Sequence, residues 1–81
     1  MYSVYILKSL HHNRYYVGHT ENIVKRLIQH NNGKVRSTKG YRPWRLVYQE
    51  NFSTKQLAYR RELLIKSYKH GEAFKKLIEE G

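Results

Sequence analysis

The first third of the chain combines residue types that suit the cutting of phosphodiesters. Two short apolar segments, Val4-Tyr5-Ile6 and Tyr16-Val17-Gly18, flank a polar turn at His11-His12-Asn13-Arg14, and a basic segment with Arg26 and His30 follows. An arginine fork can grip two non-bridging phosphate oxygens and neutralise the charge that grows in the transition state. Each signal is weak alone, and the combination is what indicates phosphodiester chemistry.

The attacking water of such a reaction needs a base, and the sequence offers two kinds. A free tyrosine has a pKa of about 10, so roughly one part in a thousand is ionised at pH 7. Neighbouring cations such as Arg26 would favour the phenolate of Tyr5. His30 is the easier base on acidity alone, because an unperturbed histidine titrates near about 6.5. The sequence leaves Tyr5 and His30 open as the base.

Acidic residues are too few for a two-metal site. The chain has 6 acids, and three of them lie in the last ten residues. Paired-metal nucleases need several converging carboxylates, so a mechanism with one metal ion is favoured. Glu62 stands between Arg60, Arg61 and Lys66, where it either holds one hard cation or neutralises its neighbours. A single carboxylate predicts Mg²⁺ or Mn²⁺ that binds weakly without substrate.

Alternating apolar residues predict a β-hairpin before the basic segment. Thr20 or Asn22 is the expected cap of a helix that runs to about Asn31, and Gly33 is the expected left-handed stop. Arg26 and His30 lie one helical turn apart and share the face opposite the apolar stripe. The stripe predicted to be buried consists of Ile23, Val24, Leu27 and Ile28.

The second half of the chain predicts a loop, a strand and two helices. Residues 32–43 form a loop with cations, hydroxyls (Ser37 and Thr38) and little to bury. A third strand is expected at Trp44–Tyr48, and Ser53 with Gln56 predicts a capping box for a helix to about Lys69. A short closing helix follows. The residues expected on the inner sides of these helices are Leu57, Ala58, Arg61, Leu64, Ile65, Tyr68, Phe74, Leu77 and Ile78.

Composition narrows the class of partner. A formal net charge of +10 on 81 residues favours nucleic acid over other partners. The chain has no cysteine, and neither a signal peptide nor a membrane span is expected, so a cytoplasmic protein is predicted. The length predicts a single α/β (α+β) domain over residues 1–81, with a three-stranded antiparallel sheet flanked by helices in the order β-β-α-β-α-α.

The chain resembles the GIY-YIG endonucleases. The resemblance rests on Val4-Tyr5-Ile6, on Tyr16-Val17-Gly18 eleven residues later, on Arg26 and His30 in the next helix, and on Glu62 in the second long helix. In particular it resembles the small standalone bacterial members related to the incision domain of the nucleotide-excision-repair nuclease. This similarity implies a metal-dependent endonuclease that hydrolyses DNA, with a preference for DNA shape and a link to repair or recombination. No small-molecule cofactor is implied.

The resemblance also implies roles for single residues. Tyr5 or Tyr16 helps to deprotonate the water, Arg26 holds the scissile phosphate, His30 lies near the water, and Glu62 binds one divalent metal beside the leaving 3′-oxygen. Residues expected to contact phosphates are Lys34, Arg36, Lys39 and Arg42.

One position departs from the family pattern. The asparagine that follows the glutamate by about a dozen residues in the family has no counterpart, because Phe74 and its neighbours stand there. This departure favours an alternative, in which the same scaffold binds DNA or RNA without cutting it. A weaker third hypothesis is a small ribosome- or RNA-associated protein whose tyrosines stack on unpaired bases.

Overall fold

A computed structural model describes residues 1–80 of the chain. Its elements follow the predicted order β-β-α-β-α-α, which confirms the predicted fold class. The strands are β1 (Tyr2–Ser9), β2 (Tyr15–Thr20) and β3 (Trp44–Phe52), and the helices are α1 (Ile23–Asn31), α2 (Lys55–Ser67) and α3 (Glu72–Glu80). A turn of 3₁₀ helix at Lys39–Tyr41 lies between α1 and β3.

Strand β1 is the centre of the sheet, whose strand order is β2-β1-β3. Both pairings are antiparallel, so the sheet is a hairpin with β3 added at its far side. The register places Tyr5 opposite Gly18 and Leu7 opposite Tyr16. Because successive side chains of a strand point to opposite faces, these four residues share one face of the sheet.

Each face of the sheet has its own apolar core. On one face, α2 and α3 cover a cluster that includes Val4, Ile6 and Val17. On the other face, Tyr5, Leu7 and Trp44 pack with partly buried residues of α1. The central strand is therefore buried on both sides over residues 3–7, which explains its continuous apolar character.

Helix α1 begins and ends as predicted, but its buried face is narrower. Asn22 caps it by accepting a hydrogen bond from the backbone N–H of Lys25, and Gly33 has a φ of 75° beyond its end. Val24 and Ile28 are 68% and 54% exposed, so the prediction that they are buried was wrong. The helix rests on the sheet through Ile23, Leu27 and His30, because a three-stranded sheet is too small to cover a wider face.

Helix α2 also differs from its predicted inner side. Its buried residues are Ala58, Glu62 and Ile65, while Leu57 and Leu64 are 44% and 47% exposed. The spacing of four and three residues selects a single row that faces the sheet. Glu62 lies in that row, whereas Arg61, which was expected on the inner side, is only partly buried and pairs with Glu50.

Several boundaries shift. Strand β3 continues to Phe52 rather than stopping at Tyr48, because its second half pairs with the first residues of β1. Thr54, not Ser53, caps α2 by accepting from the backbone N–H of Leu57. Helix α2 ends at Ser67, and Lys69 and His70 then have positive φ values of 51° and 61°. Within residues 1–80, no helix has the length and apolar character needed to cross a lipid bilayer.

Candidate active site

Tyr5 packs directly over Gly18 on the α1 face of the sheet. A Cβ added at Gly18 would lie 2.7 Å from the Tyr5 hydroxyl oxygen and 3.0 Å from Cε2 of Tyr16. A glycine inside a strand weakens the strand, and it is kept where another group approaches the backbone closely. The approaching groups here are the two tyrosines, whose ring centroids are 6.2 Å apart.

A buried chain of hydrogen bonds runs from Tyr5 to the loop after α1. The Tyr5 hydroxyl lies 3.0 Å from Nε2 of His30, and Nδ1 of His30 lies 2.8 Å from Oγ1 of Thr38. The Thr38 hydroxyl donates to the carbonyl oxygen of Val35. Since its proton is used there, Thr38 accepts from Nδ1–H of His30, which leaves Nε2 to accept from Tyr5. Each donor in this series of hydrogen bonds, from Tyr5 to the Val35 carbonyl, therefore has an acceptor.

Burial sets the protonation states of this pair. It raises the pKa of Tyr5 to about 12, although Arg26 acts in the opposite direction. Burial, with the nearby charge of Arg26, lowers the pKa of His30 to about 4. At neutral pH Tyr5 therefore keeps its proton and His30 is neutral. A phenolate at Tyr5, which the cationic surroundings were expected to favour, does not form in the free protein.

His30 points inward rather than toward an anion in solvent. Its side chain is 0% exposed, and its ring lies 4.9 Å from the ring of Tyr16 between centroids. The prediction of a face shared with Arg26 for direct anion contact was therefore wrong for His30. The helix seats this residue on the sheet, so the histidine contacts tyrosines.

Arg26 lies at the mouth of the site. Its guanidinium is beside the Tyr5 phenol, and hydrogen bonding to Tyr5 raises its pKa further. Nη1 donates to Oε1 of Gln29 at 3.1 Å. A cleft of about 460 Å³ between the end of β2 and the start of α1 is lined by both Arg26 and His19. A phosphate in this cleft would meet a half-exposed guanidinium.

Glu62 approaches the same region from the other face of the sheet. Its carboxylate is 7% exposed and accepts from Nδ1–H of His19 at 2.5 Å. The other oxygen pairs with Nζ of Lys66 at 2.6 Å. Lys66 neutralises the buried carboxylate and His19 donates a hydrogen bond to it, whereas Arg60 and Arg61, which the sequence offered as partners, do not contact it; Arg61 pairs with Glu50 instead.

His19 is the residue that the sequence reasoning missed. It follows Gly18 on β2, so the alternation of the strand turns its side chain toward α2 and away from Tyr5. The alternation of side chains along β2 was the one sequence signal that could have identified His19 as a partner of Glu62. The edge of β2 thus separates the Tyr5 side of the site from the Glu62 side, and the Glu62 charge still raises the pKa of Tyr5 slightly.

A metal ion at Glu62 would displace a partner of this carboxylate, because both of its oxygens are already paired. Within residues 1–80, no group of three or more His, Cys, Asp or Glu side chains could hold an ion. An ion here would take one carboxylate from the protein, with water and phosphate oxygens completing its shell. Lys66 is half exposed on a flexible stem, so it can move aside for an ion.

The predicted phosphate-binding cations lie on the loop between α1 and β3. Lys34, Arg36 and Lys39 are exposed there. Arg42 is exposed too, but its Nε donates to the carbonyl oxygen of Lys39 and its guanidinium packs against Gly33. Thr38 of this loop is buried, which corrects the prediction that the loop has little to bury.

Comparisons with known proteins show the family to which the chain is similar. The family model described as the GIY-YIG catalytic domain matches residues 1–75. A UPF0213 protein of Staphylococcus saprophyticus is 48% identical over 67 residues, covering 82% of this chain and 80% of the relative. A UPF0213 protein of Staphylococcus epidermidis is 43% identical over 79 residues, covering 96% of this chain and 94% of the relative.

A solved structure is similar as well. The solution NMR structure of a UPF0213 protein from Bacillus halodurans shares 34% identity, with a TM-score of 0.49, over 82% of this chain and 70% of that one. The family match spans both strands that carry the tyrosines, the helix of Arg26 and His30, and the helix of Glu62. The chain therefore belongs to the GIY-YIG family of nuclease domains.

Proposed function

We propose that this protein is a metal-dependent endonuclease that hydrolyses DNA phosphodiesters and selects its substrate by shape. The observation that carries the proposal is the position of Arg26, half exposed in a cleft and beside a buried Tyr5–His30 pair. An anion in the cleft would meet a fixed positive charge, and behind that charge lies a hydroxyl whose proton already has an acceptor. Few binding sites need that second feature, whereas a hydrolase does.

Proton transfer follows the direction of the hydrogen bonds. Water attacks phosphorus while its proton passes to the Tyr5 oxygen, and Tyr5 passes its own proton to Nε2 of His30. The new bond joins phosphorus to the water oxygen, the P–O3′ bond breaks, and the 3′-oxygen leaves with the electron pair of that bond and takes up a proton from solvent water. This relay avoids a free phenolate, which a pKa of about 12 would make rare at neutral pH. Both Tyr5 and His30, between which the sequence left the role of base open, take part.

Arg26 neutralises the phosphoryl oxygens as charge develops on them. A guanidinium held in place before the reaction stabilises the transition state without reorganisation at the moment of attack. The positive charge of Arg26 also opposes protonation of nearby His30 during the relay. The negative charge that grows on the phosphate compensates for the positive charges of both Arg26 and protonated His30.

Glu62 would hold the divalent ion, Mg²⁺ or Mn²⁺, on which the family's domains generally depend. Bound beside the leaving group, the ion supplies Lewis-acid stabilisation of the 3′-oxygen. The chain's own contribution is the orientation of the carboxylate, because His19 fixes one oxygen through a single hydrogen bond. Groups behind a ligand tune it in this way in many metal sites.

The substrate should be recognised through its backbone. The exposed loop cations reach phosphates, not base edges, so they provide affinity without a base sequence. Branched, nicked or otherwise distorted DNA is the expected substrate, in repair or recombination within the cytoplasm. DNA is favoured over RNA by the family resemblance alone.

A second candidate function is binding without cutting. Two observations favour it: Lys66 occupies one oxygen of Glu62, and Phe74, at the position where the family has its asparagine, is 2% exposed in the core. An apolar, buried side chain cannot serve as a ligand or donor at the site. The two candidates differ in one property only, which is turnover.

Cleavage of a panel of labelled substrates separates them. The panel holds duplex, single strand, flap, splayed arm, four-way junction and RNA, each with Mg²⁺, Mn²⁺ or chelator. Wild-type protein should cut with metal, Glu62→Gln and Arg26→Ala should lose cutting, and Glu62→Gln should keep its affinity. Lys76→Ala, an exposed lysine of α3, is the matched control. Binding without cutting across the panel would establish the second function.

A further inference from the structure

Three aromatic rings meet on the opposite side of β2 from the proposed catalytic cleft. Tyr15 contacts Phe74 and His70 in edge-to-face geometry, at centroid distances of 5.1 and 5.4 Å, and His70 lies 4.6 Å from Phe74. Phe74 is buried, Tyr15 is half-buried and His70 is exposed. We call the surface formed by these three residues the Tyr15 groove.

Open space flanks this cluster on both sides. A cleft of about 310 Å³ runs from the rings toward Asn13 and Lys75. A second cleft, of about 220 Å³, runs from the same rings to Tyr16 and Lys66. The first volume is at the lower end of the range for small-ligand sites, about 300–1,000 Å³. The groove is thus continuous with residues that border the catalytic region.

Cations surround the rings. Nζ of Lys8 lies 5.2 Å from the centroid of the Tyr15 ring. Lys66 lines the cleft of about 220 Å³, and Lys75 lines the cleft of about 310 Å³ together with one acid, Glu79. Aromatic rings bordered by lysines suit a nucleotide, because bases stack on the rings and the nucleic-acid backbone is anionic.

The backbone presents His70 in a conformation that costs energy. Lys69 and His70 both have left-handed φ values, although neither is glycine and Gly71 is adjacent. Non-glycine residues held in this strained region cluster at functional sites. The turn brings an exposed imidazole against Tyr15, where it fills no core.

We propose that the Tyr15 groove binds an unpaired nucleobase of the nucleic-acid strand whose phosphate enters the Arg26 cleft. The base stacks on the exposed ring of His70 and meets the edge of the Tyr15 ring, and Lys66 and Lys75 contact the flanking phosphates. This inference rests on the proposed function and deepens it, because it names the structural feature of the substrate that is recognised. Duplex DNA keeps its bases stacked and cannot fill the groove without opening.

Binding, measured with chelator present so that no cutting occurs, tests the proposal. The probe is duplex DNA with a one-nucleotide gap, and 2-aminopurine is the unpaired base opposite that gap. His70→Asn removes the ring but tolerates the left-handed backbone. His70→Tyr keeps an aromatic face, and His11→Ala changes an exposed histidine of the β1–β2 turn as a control.

The wild type should quench 2-aminopurine and bind gapped DNA more tightly than intact duplex. His70→Asn should lose about tenfold in affinity for gapped DNA and nothing for duplex, while His70→Tyr and His11→Ala should behave as wild type. Stronger quenching with a ribonucleotide strand supports the same groove with RNA as the source of the base.

Equal affinity of His70→Asn and wild type for gapped DNA overturns the inference, as does an equal loss on both DNAs. In either case binding itself persists and the proposed function stands. No binding of any nucleic acid overturns both.

Discussion

The hydroxyl oxygen of Tyr5 lies 3.0 Å from Nε2 of His30, and the two side chains are 1% and 0% exposed. Because Thr38 accepts a hydrogen bond from Nδ1–H of His30, the other nitrogen of the neutral imidazole, Nε2, can only accept a hydrogen bond from Tyr5. Protonating His30 would put a second donor against the Tyr5 hydroxyl and a charge inside the core. The pair therefore links the proton content of the site to the stability of the fold.

Stability should fall as pH drops below about 6.5. The pKa of His30 is about 4 in the folded protein, lowered from 6.5 by burial and by Arg26. Between these values the unfolded chain binds more protons than the folded protein does. The free energy of unfolding is therefore highest above pH 6.5, as far as His30 is concerned, and decreases toward pH 4. We expect His30 to contribute about 2 to 3 kcal/mol to that decrease, measured by urea denaturation at each pH.

His30→Gln is the control for this prediction, because glutamine can bond to Tyr5 and Thr38 without titrating. Both proteins carry the other four histidines. The variant should therefore lose less stability than wild type over the same pH window. Parallel curves would mean that His30 is not the responsible group.

Tyr5→Phe should remove proton transfer and leave the fold intact. The ring still covers Gly18, but Nε2 of His30 loses its donor, which costs about 1–3 kcal/mol of stability. Loss of a group that transfers the proton lowers turnover about 10²- to 10⁴-fold. Single-turnover cleavage at saturating protein measures the effect, and activity within a factor of three of wild type would exclude Tyr5 from the relay.

Gly18→Ala should destabilise the protein and lower its activity, since the new methyl meets the hydroxyl of Tyr5 at 2.7 Å. Overpacking of this kind costs about 1–3 kcal/mol. Gly40→Ala is the matched control, because an added Cβ there has no atom within 4 Å. Thermal unfolding compares the two, and equal melting temperatures would show that Tyr5 can shift away without cost.

Lys66→Met should reduce the metal concentration needed for cutting. Nζ of Lys66 pairs with one oxygen of Glu62, so an ion has to displace a cation in the wild type. We expect the Mg²⁺ concentration for half-maximal activity to drop about three- to tenfold. Lys76→Ala should leave it unchanged. A rise in Lys66→Met would indicate that the lysine helps to bind substrate more than it competes with the ion.

Binding should weaken steeply with salt, and the loop should account for part of the slope. Each phosphate contact contributes about 0.9 to the slope of log K against log salt concentration. Lys34→Ala removes one exposed cation, so the slope should become shallower by about 1. Fluorescence anisotropy between low and moderate salt gives both slopes. Identical slopes would place the phosphate contacts elsewhere.

The sequence predicted the element order well because the strands and caps are local signals. Asn22 and Gly33 mark the two ends of α1 through their own side-chain and backbone chemistry, which can be recognised without knowledge of the fold. Exposure of Val24 and Ile28 was not predictable in the same way, because it depends on how much sheet lies beneath the helix. The width of an apolar stripe says nothing about the area available to cover it.

The site shows the same division. Close approach to Gly18 was predictable from a glycine inside a strand, and the structure identifies Tyr5 as the group above it. The inward position of His30 and the contact of His19 with Glu62 depend on the register of β2 and on the seating of two helices. Helical spacing placed Arg26 and His30 one turn apart, but it could not tell which of them faced the sheet.

The burial of Thr38 gives the loop between α1 and β3 a second role. The carbonyl oxygen of Thr38 accepts from Nε1 of Trp44, and its hydroxyl accepts from His30, so the position of the loop is fixed by the core. Displacing the loop would remove the acceptor that keeps the proton on Nδ1 of His30, and with it the acceptor for Tyr5. Under the proposed function, the loop that contacts the substrate phosphates also orients His30, so a change that displaces the loop should impair both binding and the chemical step.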